Sequence, residues 1–145
     1  MAANFALRPT VSNLIIIDTS VFIDHLRTGC HQERIDSLAG HVRSSSVIMA
    51  ELWRGATKPA EHAFLQNLEK NYPILTPTEK NWLESGRLLA KIRHDMGFSP
   101  DKLRDLHFDV LIALTARSYG ALLITSNGND FELIRQYRRF DLVIW

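Results

Sequence analysis

Short runs of consecutive aliphatic residues alternate along the chain with longer segments in which apolar residues recur every three or four positions. A short unbroken run is typical of a buried strand, and the wider spacing is typical of a helix with one buried face. The runs predict five strands, at 14–17, 44–49, 72–75, 121–125 and 142–145. The segments between them predict helices at 19–26, 32–39, 60–70, 77–96, 105–119 and 131–137, with a further helical turn at 99–101.

This order of elements predicts an α/β fold. Strands that alternate with helices form parallel βαβ units with right-handed crossovers. We therefore expect a central parallel sheet of about five strands flanked by helices on both faces, in a single domain over 14–145 preceded by a leader over 1–13. Pro73 has no N–H to donate to a neighbouring strand, so the third strand is expected at an edge of the sheet.

The first aliphatic run, 14–17, is expected at the centre of the sheet. Its residues are Leu-Ile-Ile-Ile, and such an uninterrupted aliphatic stretch is typical of a strand buried on both faces. Asp18 follows directly, at the carboxyl end of the strand, where ligands bind in open α/β sheets. Asp18 also suits the simpler role of capping the next helix, and on its own it favours that role.

Composition and charge exclude several classes of protein. Hydrophobic residues make up 46% of the chain and charged residues 23%, as in ordinary globular domains and unlike disordered ones. Seventeen Lys and Arg balance sixteen Asp and Glu, so no overall field attracts nucleic acid. A local basic patch would be needed, and solvated helix faces explain the candidates equally well. These candidates are the Arg and Lys residues at 87, 91, 93, 135, 138 and 139.

The location expected from the sequence is the cytoplasm. Cys30 is the single cysteine, so no intrachain disulfide forms and a reducing compartment is favoured. Every apolar run is far shorter than the roughly 18 residues of a membrane span. The first thirteen residues resemble neither a signal peptide nor a transit peptide.

Acidic residues recur where predicted strands give way to helices. Asp18 follows the first strand, Glu51 follows the second, and Asp130 lies in the polar loop predicted after the fourth. Asp109 lies on the late helix, at the border of the side marked as buried by its apolar residues, and Asp105 precedes it by about one turn. Because the carboxyl ends of parallel strands share one edge of a sheet, these acids are expected to converge.

Converging carboxylates predict a cation. They repel one another and raise one another's pKa unless a positive charge neutralises them. Oxygen ligands without nitrogen or sulfur favour Mg²⁺ or Mn²⁺ over Zn²⁺. Metal-assisted chemistry on phosphate esters is the function class that such a site suggests.

Four short motifs carry a resemblance to a known family. Taken in order, the chain is similar to the PIN-domain nucleases, and among them to the VapC toxins of toxin–antitoxin pairs. The motifs are IDTS at 17–20, AELWRG at 50–55, DVLIA at 109–113 and TSNGNDF at 125–131. Each motif is weak alone, whereas their order and spacing over the region from 14 to 145 are specific.

The resemblance implies a doubly wound parallel sheet and an endoribonuclease that depends on Mg²⁺, with Mn²⁺ as a substitute. Asp18, Glu51, Asp109 and Asp130 match the family's acidic quartet, with Asp18 and Asp109 as the expected direct metal ligands. The resemblance also implies a homodimer, an RNA substrate and a VapB-like antitoxin that covers the acidic cleft. The groups expected to orient the carboxylates are Thr19, Ser20, Thr125 and Asn127.

Other interpretations remain open at this point. A dehalogenase-like phosphatase needs a second Asp where Ser20 stands, and a receiver domain needs an acidic pair and a late Lys that are not evident. His94 and Asp95 suggest a phosphohydrolase site, but no second His supports them. A catalytically silent binding module, or a nuclease that processes RNA or DNA without being a toxin, are the alternatives to a toxin.

Some apolar residues have two interpretations in the sequence. Phe22, Leu26 and Trp53 lie near the acidic motifs, where they would form either a docking surface for a partner or part of the core. Five apolar residues on the long helix before Gly97 are expected to belong to the core. These are Trp82, Leu83, Leu89, Ile92 and Met96.

Overall fold

A parallel sheet with the strand order β3-β2-β1-β4-β5 runs through the computed structural model, which describes residues 13–38 and 40–145. All four strand pairs are parallel, so the expected α/β fold is confirmed. Asn13 is the one described residue of the expected leader. The strands are β1 Leu14–Ile17, β2 His41–Ser45, β3 Ile74–Leu75, β4 Leu122–Thr125 and β5 Asp141–Ile144. The helices are α1 Thr19–Thr28, α2 Gln32–Asp36, α3 Ser46–Gly55, α4 Pro59–Asn71, α5 Glu79–Met96, α6 Pro100–Tyr119 and α7 Gly128–Tyr137.

β1 is the central strand. Ile15, Ile16 and Ile17 are all buried, and because successive side chains of a strand point to opposite faces, both faces of β1 are covered. β2 pairs with one side of β1 and β4 with the other. The chain therefore builds outward in one direction to β3 and then returns to the other side of β1, which makes the end of β1 the switch point of a doubly wound sheet.

The carboxyl ends of β1 and β4 lie side by side, next to Asp18. Ile17 lies beside Ile124, and the backbone N–H of Asp18 donates to the carbonyl of Ile124 at 2.8 Å.

At the far edge, β3 contains two residues after Pro73 and is an outer strand, as its proline predicted. The carbonyl of Pro73 accepts from the N–H of Ser44 at 3.0 Å, so this proline still contributes an acceptor to the edge.

The strand predicted at 44–49 is wrong from Ser46 onward, and the observed strand begins earlier, at His41. β2 ends at Ser45, and helix α3 begins at Ser46. Ser45 caps α3, because its hydroxyl accepts a hydrogen bond from the N–H of Val47 at 3.1 Å. Val47 and the two residues after it are buried as part of a helix, and a short apolar run has the same appearance in a helix and in a strand. Glu51 consequently lies inside α3 and not at its first turn.

Four other helices have boundaries that differ from the prediction. α5 is capped by Thr78 and not by Thr76, since Thr78 and Asn81 exchange capping hydrogen bonds. α6 is continuous from Pro100, which joins the separate turn at 99–101 to the rest of the helix. α7 begins at Gly128, so Asp130 lies in its first turn and not in a loop. α2 ends at Asp36, before the predicted end at 39.

α5 is less buried than its apolar residues predicted. Leu89 and Ile92 belong to the core, but Trp82, Leu83 and Met96 are each about half exposed, at 49%, 55% and 49%. The prediction that all five are core residues is therefore wrong for three of them. The apolar stripe of α5 is wider than the neighbouring elements can cover.

The remaining apolar residues near the acidic motifs divide between core and surface. Phe22 is buried, Trp53 is half-buried and Leu26 is 41% exposed. Trp53 donates its indole N–H to Glu69 at 2.5 Å.

None of the helices in the described part of the chain combines the length and the apolar character that a membrane span requires.

Candidate active site

Acidic side chains from four different elements share one electrostatic environment at the carboxyl edge of the sheet. Asp18 follows β1, Glu51 lies on α3, Asp109 lies on α6 and Asp130 lies on α7. The negative charges of Asp18, Glu51 and Asp130 all raise the pKa of Asp109. The structure thus brings together the four acids that the sequence singled out. Asp105, the further candidate, is exposed and is absent from the charges that act on Asp109.

Asp18 is the most enclosed of the acids, at 3% exposure. Its Oδ2 accepts hydrogen bonds from the hydroxyls of Ser20 at 2.8 Å and Thr125 at 2.9 Å. Burial raises the pKa of Asp18, and these two hydrogen bonds oppose that effect because they favour the charged form. Asp18 also occupies the N-cap position of α1, where the backbone N–H groups of Thr19 and Ser20 lower its pKa as well.

The turn after β4 is held in place by the same hydroxyls. The N–H of Ser126 donates to Ser20 Oγ at 3.0 Å, and the N–H of Asn127 donates to Thr125 Oγ1 at 2.9 Å. The amide of Asn127 then donates to Asp130 Oδ2 at 3.2 Å. One hydrogen-bonded chain therefore runs from Asp18 to Asp130 and fixes the orientation of both carboxylates.

Glu51 reaches the cleft from α3. Thr19 Oγ1 donates to Glu51 Oε1 at 3.5 Å, a long hydrogen bond that links α3 to the start of α1. Burial and then the negative charge of Asp18 raise the pKa of Glu51 to about 7, against the opposing charge of Arg54. Glu51 is therefore only partly ionised near neutral pH unless a cation approaches it.

Asp109 has the least compensation for its charge. Its carboxylate accepts no hydrogen bond from the residues that the structure describes. Burial, followed by the charges of Asp18, Glu51 and Asp130, raises the pKa of Asp109 to about 8, while Lys102 opposes the shift. A half-buried carboxylate without hydrogen bonds, surrounded by other acids, is an unfavourable arrangement for the protein alone.

The chemistry of these residues fits a hard divalent cation. The surrounding donors are carboxylate and hydroxyl oxygens, which suit Mg²⁺ or Mn²⁺, and a bound cation would relieve the repulsion that raises the pKa values of Glu51 and Asp109. Within residues 13–38 and 40–145, no three side chains of His, Cys, Asp or Glu lie close enough together to form a metal-binding group. The acids are therefore linked by their electrostatic effect on one another, and not by preformed coordination.

Two basic residues beside the acids had no assigned role in the sequence. Lys102 Nζ donates to Asp130 Oδ1 at 3.0 Å. Arg54 lies over the ring of Phe108, 5.6 Å from its centre, on the side of Glu51. A sequence signal exists for both: Arg54 follows Glu51 by three residues, and Lys102 precedes Asp109 by seven, so each lies on the same face of a helix as its acid.

Two of the basic candidates from the sequence make contacts that do not involve the four acids. Arg138 pairs with Glu84 at 2.5 Å, and Lys91 lies 5.8 Å from the ring of Tyr137. The hydroxyl of Tyr137 donates to Asp95 at 2.9 Å. Asp95, the acid of the candidate His94 and Asp95 pair, therefore already has a hydrogen-bond partner within the protein. These contacts are consistent with structural roles on the outer helix faces.

The fold and the site together define an α/β domain whose acidic cleft lies at the switch point of a doubly wound parallel sheet. The PIN domain family model matches residues 15–136, and the chain belongs to this family. PIN domains are nucleases that generally use divalent metal ions. No curated protein sequence matches the chain significantly.

Solved structures of toxin–antitoxin proteins have the same fold. The chain is similar to DNA-bound VapBC from Salmonella typhimurium, with 21% identity and a TM-score of 0.70 over 93% of this chain and 99% of that one. It is also similar to VapBC2 from Rickettsia felis bound to a promoter DNA fragment, with 19% identity and a TM-score of 0.68 over 91% and 98% of the two chains. A VapBC family member from Mycobacterium tuberculosis gives 21% identity and a TM-score of 0.61 over 92% and 99%. At these identities the likeness shows the fold.

Proposed function

We propose that this protein is a metal-dependent endoribonuclease that acts as the toxin of a toxin–antitoxin pair in the cytoplasm. The observation that carries the proposal is the grouping of four acids at the switch point, where burial and then the charges of Asp18, Glu51 and Asp130 raise the pKa of Asp109 to about 8. Such an arrangement is unfavourable without a cation and useful with one. RNA as the substrate rests on the resemblance of the four motifs to VapC toxins.

Three of the four acids would serve the metal ion in this proposal. Asp18 and Asp109 would hold a divalent ion, with Glu51 beside them, and the bound ion would supply an activated water and neutralise charge on the phosphate. Ser20 and Thr125 keep Asp18 in one orientation through hydrogen bonds at 2.8 and 2.9 Å. Arg54 and Lys102 place positive charge beside Glu51 and Asp109, where it would help to hold the phosphate backbone of an RNA strand.

Cleavage of total cellular RNA by the purified protein, freed of any partner, tests this function. Discrete fragments are expected with Mg²⁺ or Mn²⁺ and none with excess chelator. Duplex and single-stranded DNA are tested in parallel. Cleavage of DNA in preference to RNA would favour a nuclease of another kind. A folded, metal-loaded protein that cuts neither substrate would contradict the catalytic proposal and favour a silent binding module.

We also propose a VapB-like antitoxin as the partner, and the groove beside Glu51 supports this. A cavity of about 260 Å³ lies between α1, α3 and α4, and Glu51 is one of its lining residues. Ile23 and Leu26 line it and are 40% and 41% exposed, so an apolar segment would cover them while a basic side chain reaches Glu51. An antitoxin that uses this groove is expected to inhibit RNA cleavage by the wild type and to lose most of its effect on Leu26→Asp. Equal inhibition of both proteins would place the antitoxin elsewhere.

The exposed apolar residues of α5 support a homodimer. Trp82 and Leu83 are adjacent and about half exposed, which is costly for a monomer in water. We expect light scattering to give twice the mass of one chain for the wild type and a shift toward the monomer for Leu83→Asp. Glu79→Lys, an exposed change of charge on the same helix, is the control. A monomeric wild type would contradict the dimer.

A further inference from the structure

We propose that Lys102 takes the place of a second metal ion, so that the site of this chain binds one divalent cation and not two. The inference rests on the proposed nuclease function, because it concerns the same acids. In this arrangement Lys102 neutralises Asp130, and Asp18, Glu51 and Asp109 are the carboxylates that bind the metal ion. The structural basis is the set of contacts that Asp130 makes.

Both carboxylate oxygens of Asp130 already have partners within the chain. Oδ1 accepts from Lys102 Nζ at 3.0 Å, and Oδ2 accepts from the amide of Asn127 at 3.2 Å. The side chain of Asp130 is 26% exposed, so the ion pair is only partly screened by water. Asp109, in contrast, receives no hydrogen bond from the described residues. A bound metal ion would therefore stabilise Asp109 and the acids near it, whereas Asp130 is already neutralised by Lys102.

The position of Lys102 has no evident benefit for its own helix. It lies in the first turn of α6, where its N–H donates to the capping hydroxyl of Ser99 at 3.3 Å. A positive charge is unfavourable at this end of a helix, because the helix dipole is positive there. Asp130, in the first turn of α7, has the favourable sign for its own helix and compensates Lys102. The interactions of Lys102 with Asp130 and Asp109 thus explain why a lysine occupies this position.

Lys102 also acts on Asp109 and is not tied to Asp130 alone. Its positive charge opposes the rise in the pKa of Asp109, seven residues further along the same helix. Two helical turns bring these side chains to the same face of α6. The ammonium group lies 5.9 Å from the centre of the Phe98 ring, and the side chain is 38% exposed. One lysine therefore pairs with Asp130, lowers the pKa of Asp109 and keeps part of its side chain exposed to solvent.

Arg54 does not take over this role. Its guanidinium lies over Phe108 and its residue is exposed, and it forms no ion pair with an acid of the described chain. Its positive charge acts on Glu51, where it lowers the pKa. Lys102 is the basic residue in direct contact with the acidic quartet among the described residues.

Counting bound Mn²⁺ on the whole, partner-free protein tests the inference. Isothermal titration calorimetry, with electron paramagnetic resonance of free Mn²⁺, gives the number and affinity of the ions without any RNA. We expect one ion per chain for the wild type and for Lys102→Arg. Lys102→Met is expected to gain a second, weaker ion, because it exposes the charge of Asp130. Lys91→Met is the matched control, since Lys91 also lies against an aromatic ring but forms no ion pair with the four acids among the described residues, and it is expected to behave as the wild type.

A second variant pair separates the two acids. Asp130→Asn is expected to change Mn²⁺ affinity less than threefold, whereas Asp109→Asn lowers it at least thirtyfold. Two ions on the wild type, an unchanged count and affinity in Lys102→Met, or an equal loss in the two Asp variants would each overturn the inference. Cleavage assays keep the two proposals apart: one bound ion without cleavage contradicts the nuclease, and cleavage with two bound ions contradicts the role of Lys102.

Discussion

Asp18→Asn is expected to abolish RNA cleavage, with a loss of about a thousandfold or more, while the fold stays intact. The substitution removes the charge at the switch point of the sheet but keeps the size and shape of the side chain. The hydroxyls of Ser20 and Thr125, at 2.8 and 2.9 Å from Asp18 Oδ2, can hydrogen-bond with an amide as well as with a carboxylate. Losses of this order are usual when a central catalytic group is removed.

The measurement combines fragment yield with thermal unfolding. Single-turnover cleavage of one mapped RNA site gives the rate, and a cooperative unfolding transition close to that of the wild type shows that the fold is kept. Asp105→Asn is the control, because Asp105 is exposed and precedes Asp109 by about one turn of the same helix. It should leave cleavage unchanged. Activity of Asp18→Asn within tenfold of the wild type would remove Asp18 from the mechanism.

Asp109→Asn is expected to stabilise the metal-free protein, and more so as the pH rises. A carboxyl group with a pKa of about 8 in the folded protein and 3.8 in a free chain holds its proton more tightly when the chain is folded. The folded state therefore loses stability as the pH rises from about 4 toward 8. Removing the group removes this loss, so the gain is near zero at pH 4 and on the order of 2 kcal/mol at pH 8.

Denaturant unfolding with excess chelator, at several pH values between 4 and 8, checks this prediction. Adding Mn²⁺ should stabilise the wild type, because the ion favours the charged form of Asp109, and should stabilise Asp109→Asn much less. Asp105→Asn again serves as the control and should follow the wild type. If Asp109→Asn were less stable than the wild type at pH 8 without metal, the carboxylate would have a structural role and the account of its pKa would be wrong.

The two predictions describe one conflict between stability and function. Asp109 lacks hydrogen bonds and lies among other acids, so the folded chain bears an electrostatic cost that a neutral residue would avoid. Functional sites commonly hold such groups, since the same charge that destabilises the metal-free protein binds the cation. The sequence could suggest this conflict from the number of acids, but its location at Asp109 depends on burial and distance.

Sequence and structure agree best where a local pattern has a single interpretation. The aliphatic run of β1 followed by Asp18, the proline before β3 and the glycines that end α5 and α6 each restrict the backbone directly, and the structure has them as predicted. The apolar residues 47–49 have two interpretations, because three buried residues in a row suit a helix as well as a strand. The hydrogen bond by which Ser45 caps α3 favours the helix, and Glu51 therefore lies within that helix.

The sequence by itself determined the order of strands and helices, the parallel sheet and the identity of the acids, because these follow from hydrophobic spacing and residue type. Tertiary structure decided which groups meet. The hydrogen bond from Thr125 to Asp18 joins residues 107 positions apart, and the pair of Lys102 and Asp130 joins two helix starts. It also decided that Trp82 and Leu83 stay exposed on α5. Periodicity carries no record of such long-range contacts, since they arise only when separate elements pack together.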